Sequence, residues 1–372
     1  MANKEVAYKI AFSFLKKMNA TMLREMESKD ISPEEFFTLP TKELIYKLGI
    51  INNHDFDKIE REEAVFQATQ ELEKTERHNI TPLFLLDEDY PERLSEIYDP
   101  PIVIYKLGEA DLEEPQVISV VGTRRPTPYG VEFCNKLIDD LGDYFPELSV
   151  VSGLAYGIDA VAHKKALDKG LKTVAVVAHG LNMIYPAAHR NLAKEIVHTG
   201  GAIISEYPFG VKPYKQHFLA RNRIVAGLSD ATIVVESNIK GGAMSTANFA
   251  FQYNRDVMAL PGRVSDDLSS GCNLLIRKNK AHLISSAADF IDTTGWQPMG
   301  LPISAMQQNL FPELSGDEKN IYELLKYSGD PVHIDQISYK TGLKMADLTA
   351  LLGKLEFDGI IMRYPGNRFT IS

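Results

Sequence analysis

VISVV at residues 117–121, followed at once by Gly122-Thr123-Arg124-Arg125, decides the fold. Similar short runs recur downstream at Ser149–Val151, Thr173–Val177, Ala202–Ile204, Thr232–Val235 and Val257–Leu260. Each is nearly all apolar and rich in β-branched residues, so both faces are buried. That pattern marks a parallel sheet covered by helices on both sides. Helical stretches separate the runs. Residues 117–296 are therefore predicted to be α/β, an extended Rossmann-like doubly wound sheet.

The flanks read differently. Residues 1–80 are predicted to be all-helical. Ser32-Pro33-Glu34-Glu35 is a capping box with proline at the first helical position. Thr41 starts a short helix that Gly49 ends, and 55–75 forms a longer charged helix with Val65, Ala68 and Leu72 on one stripe. Several short helices suggest a module of the sterile-alpha-motif (SAM) or helix-hairpin-helix (HhH) kind, or a bundle that only packs on its neighbour. Residues 81–116 read as an irregular connector, broken by Pro82, Pro91, Pro100, Pro101 and Pro115. After a linker at 297–316, helices are expected at 317–327, 334–341 and 346–357, with Gly342 at the turn between the last two. Residues 360–364 and 368–371 then flank a Pro365-Gly366-Asn367 hairpin signal. Three helices and a two-stranded wing make 317–372 a winged helix.

In an open α/β sheet, ligands bind beyond the carboxyl ends of the strands. Those ends carry Gly122-Thr123-Arg124, Ser152-Gly153-Leu154-Ala155-Tyr156-Gly157-Ile158-Asp159, His179-Gly180, Ser205-Glu206, Glu236 with Gly241-Gly242, and Pro261-Gly262-Arg263. Glycine lets backbone amides approach an anion, and a following helix start adds its positive end. Into the same rim runs VKPYKQHFLARNRIVAGLS, 211–229, where Lys212, Lys215, His217, Arg221 and Arg223 crowd around Phe218. No acid lies between Glu206 and Asp230. Cations beside a flat ring suit a single-stranded nucleic acid. The other reading of this segment is a helix start whose arginines pair with acids elsewhere.

The loops, in this order and spacing, resemble the DNA-processing protein A (DprA/Smf) family. The resemblance rests on GTR at 122–124, SGLAYGID at 152–159, HG…YP at 179–186, SEYP at 205–208, HFLARNRIVAGLS at 217–229, VVES…GGAMSTA at 234–247, PG at 261–262 and GCNLLI at 271–276. It covers essentially the whole middle domain. It implies a non-enzymatic, cytoplasmic single-stranded DNA-binding protein. Such a protein protects incoming strands during natural transformation, helps load the RecA recombinase, and acts as a dimer. It also implies site roles. Gly122 and Arg124 would grip a phosphate; Lys215, Arg221, Asn222 and Arg223 would line the groove; Phe218 would receive a base; Lys240, Gly241 and Gly242 would complete the cradle. At Gly242 the chain departs from the family, where many members carry a small hydroxyl residue.

The competing class is a nucleotide-processing enzyme of the phosphoribohydrolase (lysine-decarboxylase-like) type, which shares a Gly-Gly loop on a Rossmann-like sheet. Here no proline precedes Gly241-Gly242 and no acid follows on that helix turn. Glu206 and Glu236 stand at strand ends, either as a general base or as structural partners for a rim arginine or a loop amide. No GxGxxG follows the first strand, so no dinucleotide cofactor is expected. The histidines lack metal spacing, and Cys134 and Cys272 form no CxxC pair, which suits a reducing cytosol. No apolar run approaches the ~20 residues needed to span a bilayer. The chain is acidic overall, with a formal net charge of −10. The acidity lies in the flanks: residues 117–300 carry 19 Lys/Arg against 16 Asp/Glu, and the remainder 21 against 34. The tail from residue 301 has 7 against 9, too few cations for a groove-reading helix, and is read as an accessory or protein-contact module. Ala247, Phe249, Ala250 and Phe251 offer an apolar helix face, for a second copy or for the sheet.

Overall fold

A computed structural model describes residues 2–49, 57–299, 316–328, 331–357, 360–364 and 366–371. Most of the predicted linker at 297–316 lies outside the described residues, as do the first residues of the helix expected at 55–75 and Pro365 of the hairpin signal. The chain forms two compact units, 1–299 and 300–372. Among the described residues no helix is long and apolar enough to cross a membrane.

The first unit opens with α1 (Ala2–Ala11), α2 (Ala20–Ser28), α3 (Pro33–Thr38), α4 (Thr41–Leu48) and α5 (Lys58–Arg77). The Ser32/Glu35 capping box forms, and Gly49 ends α4 in the left-handed conformation at φ 68°. Then follow β1 (Ile80–Phe84), α6 (Glu92–Ser95), β2 (Val103–Gly108), β3 (Val117–Val121), α7 (Pro128–Tyr144), β4 (Ser149–Ser152), α8 (Ile158–Asp168) and β5 (Lys172–Val176). Next come α9 (Arg190–His198), β6 (Ala202–Ser205), α10 (Lys215–Gly227), β7 (Ala231–Val234), α11 (Gly242–Gln252), β8 (Asp256–Ala259), α12 (Ser270–Arg277), β9 (His282–Leu283) and α13 (Ala287–Thr294).

The strands make one sheet in the order β1-β2-β6-β5-β4-β3-β7-β8-β9. Strands β3 to β9 pair in parallel, and β3 and β4 are buried along their whole length. Alternate residues feed two cores. Val117, Val121, Val151 and Val176 pack with α10, α11 and the helical module, while Ile118, Val120 and Val150 pack with α7, α8 and α13. Doubly wound packing is thus read directly from the apolar runs.

The stretch 81–116 corrects the expectation of an irregular connector. It contains β2 and most of β1, paired antiparallel, and β2 continues antiparallel onto β6. Pro82 is tolerated because β1 is the edge strand of the sheet. Arg93 holds the segment down through a 2.6 Å pair with Asp230, whose other oxygen accepts from the Val117 N–H at 2.9 Å. The helical module is also less separate than its composition suggested, for its core runs unbroken into β1, β2 and the sheet. On α11, Ala247 and Ala250 are core; Phe249 is half-buried, and Phe251 is exposed with Lys280 Nζ 5.4 Å from its ring centre.

The second unit holds α14 (Asp317–Ser328), β10 (Val332–His333), α15 (Ile334–Thr341), α16 (Met345–Phe357), β11 (Ile361–Tyr364) and β12 (Arg368–Ile371). Its three strands run β10-β12-β11 around a core of Ile321, Leu325, Ile337, Leu348, Leu352 and Phe369. This is a winged helix with one short strand more than the sequence announced. Lys354 of α16 is paired with Glu318 at 2.6 Å.

His163 on α8 carries a pH signature. It is fully buried, and its Nδ1 lies 2.7 Å from Thr173 Oγ1, whose proton goes to the Val150 carbonyl. Burial, reinforced by nearby His189 and Arg221, pushes its pKa down to about 3. The unfolded chain binds this proton near pH 6.5 and the folded chain does not. Stability is therefore full above about pH 6.5 and falls by about 1.4 kcal/mol per unit as pH drops toward the folded value. Thermal melts from pH 7 to 4.5 are expected to show this slope, and His163→Gln to flatten it.

Candidate nucleic-acid interface

Between β3 and β7 the strand order reverses direction, the position at which open α/β sheets bind ligands. A cavity of about 760 Å³ opens there, walled by the loops after β3, β4, β5 and β7, by α10 as far as Val225 and by the start of α11. Close backbone approach shapes it. A Cβ on Gly122 would stand 2.6 Å from the Ile158 side chain. Gly157, at φ +79°, would place one 2.1 Å from the Thr123 carbonyl. Neither position admits a larger residue without moving the walls.

The residues predicted from sequence divide into three groups. Arg124, Lys215, Phe218, Asn222 and Lys240 line the cavity with Gly122, Gly241 and Gly242. Arg124, Lys215 and Lys240 are exposed, and none has a carboxylate within 4.0 Å among the described residues. The Arg124 guanidinium lies 5.8 Å from the Phe218 ring centre, and Phe218 meets Tyr185 at 5.7 Å. A strip of cation, ring and ring thus crosses the wall. Gly241 caps α11 without a side-chain hydrogen bond, which leaves a helix start beside the cations. Asn222 Nδ2 donates to the Gly242 carbonyl at 3.3 Å and ties α10 to this loop.

Arg221 reaches the cavity but is 4% exposed. Its Nη1 donates to the Gly153 carbonyl at 2.7 Å and to the Val176 carbonyl. Burial lowers its pKa, and nearby Asp159 raises it. Arg221 therefore fastens α10 to the ends of β4 and β5. Arg223 departs from the expected groove lining. It pairs with Glu206, sits 3.8 Å from Asp99, and is absent from the cavity wall. The acids that neutralise it lie outside the 211–229 window, which is why the sequence made it look free.

The candidate general bases are engaged. Glu206 holds Arg223, and Glu236 accepts from the Thr127 N–H at 2.8 Å and from the Thr127 hydroxyl. His179 is buried among backbone partners: its Nδ1 is 3.0 Å from the Gly180 carbonyl and its Nε2 accepts from the Tyr185 N–H at 3.2 Å. Burial lowers its pKa. Among the described residues no group of three His, Cys, Asp or Glu is placed to hold a metal ion.

Residues 81–295 match the family model described as DNA recombination-mediator protein A, and 305–367 match the DprA winged helix domain. The chain belongs to the DprA family. A protein named Smf from Synechocystis is 34% identical over 99% of both chains. The DNA processing protein DprA of Streptococcus pneumoniae is 39% identical over 62% of this chain and 79% of its own. The X-ray structure of S. pneumoniae DprA superimposes with a TM-score of 0.65, covering 78% of this chain and 98% of that one at 35% identity. DprA from Helicobacter pylori, in a structure reporting its single-stranded DNA binding mode, gives a TM-score of 0.52. It covers 58% of this chain and 95% of its own, also at 35% identity.

Within this DprA-family cavity the sequence left several lining residues unassigned: Tyr185, Asp159, Ser237, Asn238 and Thr246. Tyr185 stood in a quoted motif, and its value depends on meeting Phe218 from a distant loop. Asp159 is 7% exposed and receives the Ala155 N–H at 3.3 Å. Burial raises its pKa, and Arg221 counters that.

The two arginines are expected to differ under mutation. Arg221→Ala strips two buried carbonyls of their donor and lowers stability by roughly 3 kcal/mol. Arg124→Ala changes stability by no more than about 0.5 kcal/mol. Urea unfolding of the two variants checks this.

Proposed function

We propose that this protein binds single-stranded DNA in the β3/β7 cavity and passes it to a recombinase of the RecA type. In this reading it works as a homodimer in the cytoplasm and leaves its ligand chemically unchanged. One observation carries the reading: the Arg124–Phe218–Tyr185 strip stands beside the exposed Lys215 and Lys240. Single strands offer phosphates at regular spacing and bases whose faces are free to stack, and this wall offers cations and rings in the same places. A duplex keeps its base faces stacked inside, out of reach of such a wall. The H. pylori relative, reported to bind single-stranded DNA, supports the assignment.

The roles follow from placement. Arg124, Lys215 and Lys240 contact phosphates, aided by the amides at Gly122 and at the Gly241-Gly242 helix start. Phe218 and Tyr185 receive a base. Asn222 and Arg221 hold the wall, and Arg223 acts only through the ion pair that seats α10. The engagement of Glu206 and Glu236 elsewhere supports a binder over a phosphoribohydrolase. Dimerisation gives one strand two cavities and raises avidity through effective concentration.

Binding to equal-length single- and double-stranded oligonucleotides is to be titrated against salt. Tighter binding of the single strand is expected, with affinity falling steeply as salt rises. Arg124→Ala, Lys215→Ala or Lys240→Ala each reduces the salt slope by about one. Phe218→Ala costs roughly 1–3 kcal/mol and leaves the slope unchanged. Equal affinity for duplex, or release of free base from a nucleotide, overturns the proposal. Sedimentation with oligonucleotides of increasing length tests the dimer, which predicts a two-chain mass and an affinity that rises past one site.

A further inference from the structure

The cationic start of α10 is reached through the loop 206–214, and that loop is held from an unexpected direction. The Phe209 N–H donates to Oε1 of Glu71 on α5 at 2.6 Å, across 138 residues of sequence. Glu71 is 3% exposed. Burial pushes its carboxyl up, opposed by the Phe209 amide and by Lys74. A carboxylate kept this deep is costly unless it is bonded, and this hydrogen bond leaves the helical module instead of serving it. The Phe209 side chain follows the same route: it packs on the core that the module shares with the sheet, and the His78 ring at the end of α5 is 4.7 Å away.

Beyond Phe209 the loop turns directly to the cavity. Asn182 Oδ1 accepts from the Gly210 N–H at 2.8 Å, and the Val211 carbonyl accepts from the Gly180 N–H at 2.9 Å. Pro213 and Lys215 then line the wall. Lys215 has no ion pair among the described residues, so its position is set by the backbone that carries it.

We infer that Glu71 is a positioning residue for the DNA-contacting segment: through Phe209 the helical module sets where Lys215 stands. The inference rests on the single-stranded DNA reading above. It gives the N-terminal helices a role in ligand affinity although none of their residues lines the cavity.

The experiment measures binding of a single-stranded oligonucleotide to the full chain, well below the melting temperature. Glu71→Ala is expected to weaken binding roughly fivefold, within the range by which contact networks modulate a distant site. Glu71→Gln keeps an acceptor oxygen for the Phe209 amide and is expected to restore affinity to within about twofold of wild type. A double-mutant cycle separates positioning from general destabilisation. The losses from Glu71→Ala and Lys215→Ala should fall short of additive, whereas those from Glu71→Ala and Lys240→Ala should add. Should Glu71→Ala fail to fold, His78→Ala, which removes the ring beside Phe209, enters the same two cycles with the same expectation. Unchanged affinity, no rescue by glutamine, or additivity in both cycles overturns the inference. Failure of the wild-type chain to bind the oligonucleotide would instead overturn the single-stranded DNA reading itself.

Discussion

A buried guanidinium organises the site. Arg221 gives up water to donate to the carbonyls of Gly153 and Val176, at the ends of neighbouring strands. Those carbonyls sit just where the β4–β5 ladder runs out, past the Ser152–Ala175 pair. Meeting them with an arginine from α10 fixes that helix across the carboxyl edge of the sheet. Asp159 below supplies compensating charge. Once α10 is seated, Lys215 and Phe218 at its start stand over the loop that carries Arg124. The binding wall therefore depends on a cation that is itself consumed by the fold.

The doubly wound sheet was legible because its determinants are local: β-branched apolar runs, several of them followed at once by a glycine loop. The winged helix was legible for the same reason, down to Gly342 in the left-handed turn at φ 70°. β1 and β2 escaped detection since prolines suppress strand expectation, and only the pairing of β2 with β6 makes the segment part of the sheet. The candidate site was half legible. Lys215, Phe218 and Asn222 are close in sequence to one another and opposite Arg124 in space. Arg223 misled because its neutralising acids, Glu206 and Asp99, come from other elements. Tyr185 was passed over because its partner Phe218 is supplied by the tertiary fold.

Net charge and local charge pull apart in this molecule. The chain carries −10 overall, yet Arg124, Lys215 and Lys240 at the cavity have no carboxylate partner among the described residues, while many other cations are matched to acids. Surplus acid keeps the protein from adhering to polyanions at large, and the local field decides where one docks. The winged helix fits this division, since Lys354 of α16 is spent on Glu318 within its own unit.

The antiparallel junction of β2 with β6 has a consequence for biogenesis. Tyr105 to Gly108 pair with residues 202–205, so the strand that completes β2 leaves the ribosome almost a hundred residues later. Until then the β1–β2 hairpin and the helices packed on it present an open backbone edge, a ready template for mispairing with another nascent chain. The core that the N-terminal helices share with the sheet includes Ala202 and Ile204, so it is complete only once β6 has been made. Closure of that core is a late, long-range event, and loss of β6 would leave the first hundred residues exposed to aggregation, however sound their own helices.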